Sequence, residues 1–279
     1  MTHNFHPERP PVMDNPRADR VRTVRSLGGR SAQSRTGLLL VEGPGAVLEL
    51  VTWRPECVTD VYVTERVEES QPEIMEQARQ ATRWVHRVTD EVAHAMSPDC
   101  QGVIAVARRD AIVTQMPSVD TLAVILARIQ DPGNVGTLIR TADAMGAQCV
   151  LTTVGTADVR SPKVIRSTAG SVFHLPIMSG LTFDAAIERA RTWGALVLGT
   201  SGGHGSVSLL DIDEGDSPLL SRTHAWVFGN EARGLSPDEM RQCDHLVRIP
   251  MAGKAESLNV ASAAAMCLYA SARSRTLTA

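Results

Sequence analysis

From residue 121 onward the chain repeats one pattern: a short, mostly apolar run, a loop rich in Gly and polar residues, then a helical stretch. Leu122-Ala123-Val124-Ile125-Leu126-Ala127 is the first such run, and residues 149–153, 175–177, 195–199, 225–228 and 246–249 play the same part later. Helical patterning covers 135–145, 162–171, 183–193, 237–242 and 259–273. A strand that is apolar along its length, rather than at alternate positions, is one buried on both faces. Such strands alternating with helices predict an α/β fold, a parallel sheet with helices on both faces. Topology rules alone would make that sheet unknotted and doubly wound.

The preceding residues divide differently. Residues 1–20 are polar and Pro-rich and read as a disordered tail, and a basic helix is expected over 19–30. Residues 21–109 form a first domain, with strands expected at 38–42, 58–63, 85–88 and 102–107 and helices at 44–53, 72–83 and 90–95. Residues 110–120 read as a linker to a second domain over 121–279.

Three loops in that second domain carry chemistry. Ile129-Gln130-Asp131-Pro132-Gly133-Asn134-Val135-Gly136-Thr137-Leu138-Ile139-Arg140 follows the first strand, with turn residues ahead of a helix expected to start near Val135. Asn134 is expected at or just before the N-cap, and Arg140 about one and a half turns in. Phe228-Gly229-Asn230-Glu231-Ala232-Arg233-Gly234-Leu235 is a Gly-bracketed polar loop; Ser236-Pro237-Asp238-Glu239 then opens a helix as cap, Pro and acidic first turn. Ile249-Pro250-Met251-Ala252-Gly253-Lys254-Ala255-Glu256-Ser257-Leu258-Asn259-Val260 runs from a strand end into an Ala-rich helix. Each alone is a capped helix or a turn. Unpaired backbone groups at a strand end and a helix N-terminus also suit the polar edge of a ligand.

Together, in this order and spacing, the three segments resemble the signature motifs of the SpoU (TrmH) family of RNA ribose 2′-O-methyltransferases. The family patterns are Asn-x-Gly-x-x-x-Arg, Gly-Asn-Glu-x-x-Gly-Leu and Ile-Pro-Met…Ser-Leu-Asn-Val. The basic, small-residue stretch 161–171 is similar to the family's helix before a short strand, and 39–44 and 101–106 resemble its N-terminal RNA-binding domain. The resemblance implies a C-terminal trefoil knot in place of the unknotted sheet, preceded by a small α/β ribosomal-protein-like domain.

It also implies S-adenosylmethionine as methyl donor, held by Gly199, Thr200, Gly229, Asn230, Gly234, Ile249, Met251, Ser257 and Leu258. The implied catalytic set is Asn134, Arg140, Glu231, Ser257 and Asn259. Arg140 would hold a phosphate and stabilise the developing alkoxide, since a guanidinium stays protonated at neutral pH and makes a poor base. Asn134 would position the ribose or Arg140, and Glu231 would orient Arg140 or a backbone N–H. Glu256 is left outside the set. Family sites are built across a homodimer through the knotted domain. The separate N-terminal domain favours ribosomal RNA, of the large subunit, over tRNA. A tRNA ribose methyltransferase and a non-catalytic RNA-binding relative remain the alternatives.

Charge supports RNA only by its distribution. The net charge is -3, yet the first 41 residues hold seven arginines against three acids. All but two of the 28 basic residues are arginine, the exceptions being Lys163 and Lys254. Arginine is suited to bidentate phosphate contact and to stacking on bases, so Arg22, Arg25, Arg30, Arg35 and Arg166 are candidate RNA contacts. No Gly-x-Gly-x-x-Gly fingerprint marks a dinucleotide site. The five cysteines are scattered and form no Cys-x-x-Cys pair, so no metal is expected. No apolar run is long enough for a membrane helix, and a cytoplasmic protein is expected. Gly202-Gly203-His204-Gly205 reads as a surface loop, with no partner for His204.

Overall fold

The sheets of two separate units account for every strand in the computed structural model, which describes residues 11–203, 205–214 and 219–278. One unit ends at Ala111 and the other begins at Ile112. Residues 1–10 of the expected tail and His204 lie outside the described residues.

The first unit contains, in order, α1 (Asp19–Ser26), α2 (Arg30–Thr36), β1 (Leu38–Glu42), α3 (Pro44–Trp53) and β2 (Val58–Thr64). It continues with α4 (Glu65–Ser70), α5 (Pro72–Ala81), β3 (Val85–Val88), α6 (Asp90–Met96) and β4 (Val103–Arg108). The sheet order is β1-β4-β2-β3, antiparallel except for the β2–β3 pair. Val21, Val24 and Leu27 join Val92 and Met96 over Leu40, Tyr62 and Ile104, so the arginine-bearing helix α1 is anchored by its apolar stripe.

Two expectations are corrected here. The single helix over 19–30 is two helices, because Gly28 and Gly29 follow Leu27 and each costs about 1 kcal/mol within a helix. The tail is not without order up to residue 20: Met13 donates its N–H to the Arg87 carbonyl (2.8 Å) and accepts from Thr89 N–H (3.0 Å). β3 is an edge strand whose free backbone groups recruit it.

The second unit contains β5 (Leu122–Leu126), α7 (Pro132–Ala144), β6 (Cys149–Thr153), α8 (Pro162–Ser167), β7 (Ile177–Leu181) and α9 (Phe183–Thr192). It goes on with β8 (Leu196–Thr200), β9 (Val207–Ser208), α10 (Leu209–Glu214), β10 (His224–Phe228), α11 (Pro237–Gln242), β11 (His245–Arg248) and α12 (Val260–Thr278). Its seven strands, ordered β7-β6-β5-β10-β8-β11-β9, are all parallel. Ala123, Ile125, Leu151, Val197 and Val227 face Ala186, Ile187 and Ala190 of α9. On the opposite face, Trp226 donates to Ser271 of α12 (2.8 Å). Helices therefore cover both faces, as the apolar strands require.

Several boundaries moved for physical reasons. The strand expected at 175–177 starts at Ile177, after Pro176, which has no N–H to give a ladder. The expected linker 110–120 is partly built into the second unit, where Val113 accepts from Ile177 N–H (2.8 Å) and Val119 is buried. β9 and α10 had no counterpart in the sequence reading.

One buried polar cluster sits behind the central strand. His224 opens β10 fully buried; in its neutral form Nδ1–H donates to the Arg222 carbonyl (2.7 Å) and Nε2 accepts from the Ser271 hydroxyl (2.8 Å). Burial pushes His224 down to about 4 against the pull of the Arg222 carbonyl, and the charge of Arg275 adds to the fall. In the unfolded chain the imidazole returns to about 6.5. The unfolded state therefore binds the proton first, and stability drops as pH falls from 6.5 toward 4. From pH 7 to pH 5 this group should remove about 2 kcal/mol. Urea unfolding at the two pH values should show that loss, and His224→Gln should flatten the dependence by the same amount.

Candidate active site

Three loops leave the C-terminal ends of the parallel strands and converge on one cleft of about 330 Å³. They are the loop after β8, the loop after β10 and the passage from β11 to α12.

The loop after β10 is shaped by its glycines and Asn230. A Cβ on Gly229 would lie 2.5 Å from the Gly234 carbonyl carbon and 2.6 Å from Leu235 N, so no other residue fits without moving the backbone. Gly234 has φ +63°, and its N–H closes the turn on the Asn230 carbonyl (2.8 Å). The Asn230 side chain accepts from Ala232 and Arg233 N–H (3.1 and 3.2 Å) and donates to the Arg128 carbonyl (2.9 Å).

The turn after β5 is set by Asp131, which caps α7 by accepting from Asn134 N–H (2.8 Å), with Pro132 in the first turn. This corrects the expectation that Asn134 sits at the cap: it lies one position short of completing the first turn, inside the helix. Its side chain is thereby freed to bridge. Nδ2 of Asn134 donates to Glu231 Oε1 (3.2 Å), and its Oδ1 accepts from Asn259 Nδ2 (3.1 Å). Asn259 in turn caps α12 by accepting from Ala261 N–H (2.8 Å). Glu231 also accepts from the N–H groups of Gln130 (3.2 Å) and Asp131 (3.1 Å). Partial burial opposes its charge, but these backbone donors and the Asn134 amide outweigh that and hold the carboxyl below the usual range. One residue from each motif thus meets in a single hydrogen-bonded junction.

Arg140 does not join it. It stands exposed on α7 and makes no hydrogen bond or ion pair among the described residues, so Glu231 orients backbone N–H groups rather than this guanidinium. Ser257 lies exposed on the cleft wall. Of the residues expected to hold a cofactor, Thr200, Gly229, Asn230, Gly234, Ile249, Met251, Ser257 and Leu258 all line the cleft, as do Glu231 and Glu256. Gly199 does not. It is buried behind the wall, where a Cβ would be 2.6 Å from Cys243 Sγ. Arg22, Arg25, Arg30 and Arg35 point to solvent from α1 and α2, Arg22 paired with Asp19, while Arg166 is half-buried in the last turn of α8. Among the described residues no cluster of His, Cys, Asp or Glu is placed to hold a metal ion.

The sequence reading missed the brace beneath the cleft. Arg128, at φ +58°, ion-pairs with the buried Glu239 through both guanidinium ends (Nη2–Oε2 2.7 Å) and reaches the Gly234 carbonyl (3.4 Å). Glu239 also accepts from Ser236 N–H in the capping box that opens α11. The Ser236-x-x-Glu239 spacing announces the box, but nothing local announces a partner 111 residues away. A second omission is Gly136, where a Cβ would be 2.8 Å from the Ser167 carbonyl carbon; α7 and α8 touch there. Removing Arg128 leaves a buried carboxylate unpaired, so Arg128→Met should cost about 3 kcal/mol in chemical denaturation. Adding Glu239→Gln should return part of that loss, which a double-mutant cycle measures.

Residues 121–269, more than half of the chain, match the SpoU rRNA Methylase family. Residues 40–112 match the RNA 2'-O ribose methyltransferase substrate binding family. The chain is 34% identical to the 23S rRNA (uridine(2479)-2'-O)-methyltransferase of Streptomyces viridochromogenes, over 89% of this chain and 87% of that protein. It is 31% identical to the 23S rRNA (guanosine-2'-O-)-methyltransferase RlmB of Bordetella pertussis, over 85% and 97%. The crystal structure of the SpoU methyltransferase AviRb from Streptomyces viridochromogenes, in complex with AdoMet, superimposes with a TM-score of 0.75 at 29% identity, covering 93% of this chain and all of that one. Two adjoining family matches, full-length relatives and the junction of Asn134, Glu231 and Asn259 agree: the chain belongs to the SpoU rRNA methylase family.

Proposed function

We propose that the chain transfers a methyl group from S-adenosylmethionine to a ribose 2′-hydroxyl of ribosomal RNA, in the large subunit. The observation that carries this reading is the junction of Asn134, Glu231 and Asn259 at the edge of the cleft. Both curated relatives described above are named for ribose methylation of 23S rRNA, and one similar structure holds AdoMet.

The cleft suits that cofactor on its own chemistry. Ile249, Met251, Leu258 and Val260 offer an apolar slot for a flat base, and the backbone of residues 229–234 offers polar groups along its edge. Glu231 and Glu256 place carboxylates where a sulfonium would gain from them. When bound, the cofactor supplies an electrophilic methyl on sulfur. The residues then have to bind and orient the hydroxyl. Asn134 is held by Glu231 and Asn259 and presents its amide at the N-terminal end of α7, which positions the ribose. Arg140, unpaired on the same helix, holds the flanking phosphate and stabilises negative charge developing on the 2′-oxygen. The proton leaves to phosphate or water. The arginines of α1 and α2, with Arg166, contact RNA phosphates.

The path of the chain supports a trefoil knot. β11 lies beyond β8, yet the helix that follows it packs against β10 and α7, so the passage 249–259 returns across the sheet edge beside the two loops that share its cleft. The four-stranded first unit is read as the ribosomal-protein-like substrate domain. Met266 and Tyr269, three residues apart on α12, are 45% and 58% exposed and supply an apolar face for a second copy. The working form is read as a homodimer, in the cytoplasm; sedimentation should give a dimer, and a stable, fully active monomer would contradict it.

Radiolabelled methyl transfer to unmodified 23S rRNA tests the reaction. Label should enter as an alkali-resistant dinucleotide. Asn134→Ala should lower kcat by at least tenfold, and Arg140→Lys, which loses the planar fork, should also impair transfer. No label in RNA despite cofactor binding would refute the reading.

A further inference from the structure

We propose that the first unit carries a nucleobase-stacking subsite, built on Trp84 and Arg83, that grips an unpaired nucleotide of the RNA substrate; the inference rests on the RNA reading above. Trp84 immediately precedes the edge strand β3 and is 50% exposed, although it is the kind of residue that a fold ordinarily buries. It ends a continuous ladder of flat groups. Arg20 lies over Tyr62 (5.7 Å to the ring centroid), Tyr62 stacks on His86 (4.9 Å), His86 on Trp84 (6.4 Å, 12° between planes), and Arg83 lies over the Trp84 indole (4.8 Å).

The inner part of that ladder is fixed. Tyr62 is buried in the core and its hydroxyl accepts from Arg20 Nε (2.8 Å), while Asp60 accepts from Arg20 and lies 3.0 Å from His86 Nε2. The backbone beneath Trp84 is equally constrained. Its carbonyl accepts from Val61 N–H (2.9 Å) and its N–H donates to Thr82 Oγ1 (3.2 Å), whose hydroxyl donates to the Thr59 carbonyl (2.9 Å). The platform is therefore preorganised, so a ligand stacking there does not bear the cost of ordering it.

A cleft of about 580 Å³ opens beside the indole, with Arg20, Thr59, Asp60, Thr82, Arg83 and Trp84 on its walls. Asp60 is already matched by Arg20, which leaves Arg83 as uncompensated positive charge beside an aromatic face. That combination selects an RNA base with its phosphate, since bases stack on both indole and guanidinium planes. Arg83 is exposed, so its guanidinium can lift from the indole and cover a base that stacks there. Trp84 also lies within the stretch that matches the substrate-binding family. A base held inside a regular duplex cannot reach this face, so the subsite favours single-stranded or looped RNA.

The test compares the full chain with Trp84→Ala, Trp84→Phe and Arg83→Ala, after thermal melts confirm that each is folded. Binding of a fluorescein-labelled, mixed-sequence single-stranded oligoribonucleotide is measured beside its duplex, together with steady-state methylation of 23S rRNA. Trp84→Ala should weaken single-strand binding about tenfold and raise KM for RNA similarly, with kcat unchanged. Duplex binding should hardly move, and Trp84→Phe should recover most of the loss. Unchanged single-strand binding and KM in Trp84→Ala would overturn the subsite. Weakened binding by Trp84→Ala in a protein whose parent transfers no methyl would uphold the subsite while defeating the proposed reaction.

Discussion

The C-terminal edge of a parallel sheet is where this protein places its site, and that edge lacks the pairing that orders the strands below it. Something else must hold three loops in register. Here it is one carboxylate. Glu231 accepts two backbone N–H groups from the turn before α7 and the amide of Asn134, and Asn134 passes the constraint to Asn259 at the start of α12. The N-terminus of a helix favours negative charge, because its first N–H groups lack partners and its dipole is positive there. Glu231 and Asp131 both exploit the same end of α7. The junction is thus electrostatic as well as geometric, and it ties two of the loops that line the cleft, those after β10 and β11, to the start of α7.

That dependence explains why other features near the cleft are so restricted. Gly229 must pass within van der Waals contact of the 234–235 backbone for Glu231 to point at α7. Arg128 accepts an unusual positive φ in order to tie β5 to the loop through Glu239 and Gly234. A non-glycine residue held there stores strain of about 1–3 kcal/mol, which the buried ion pair and the Asn230 bond to its carbonyl offset. The junction holds Glu231 and the brace holds Asn230 and Gly234 of the same loop.

What could be read from the sequence was whatever is local. Apolar runs placed β5, β6, β8, β10 and β11 to within a residue or two at each end, and the Ser236-Pro237 cap placed α11. The motifs found their loops because their chemistry is contiguous. Reading failed where a competitor outranked a nearby signal, as when Asp131 took the cap from Asn134. It failed for β9, only two residues long and dependent on β11 for its pairing. It failed again for Arg128 and Glu239, whose partnership is made only by the fold. The resemblance put Gly199 in the cleft with Thr200; successive strand residues face opposite ways, and Gly199 faces the core.

The two ends of α12 join the stability of the core to the geometry of the site. Near its C-terminal half, Ser271 bonds to both His224 and Trp226 of the central strand, and Arg275 reaches the Met145 carbonyl beyond α7. At its N-terminus, Asn259 is bonded to Asn134. Twelve residues of helix separate Asn259 from Ser271, about 18 Å at 1.5 Å per residue. The same helix is therefore bonded to the core strand at Ser271 and to Asn134 at Asn259. Protonating His224 converts its Nε2 from acceptor to donor, which turns the Ser271 hydroxyl away toward the Cys267 carbonyl, 3.2 Å distant. The polar pair buried behind the sheet thus holds the C-terminal half of the helix whose start carries Asn259, although no motif includes it.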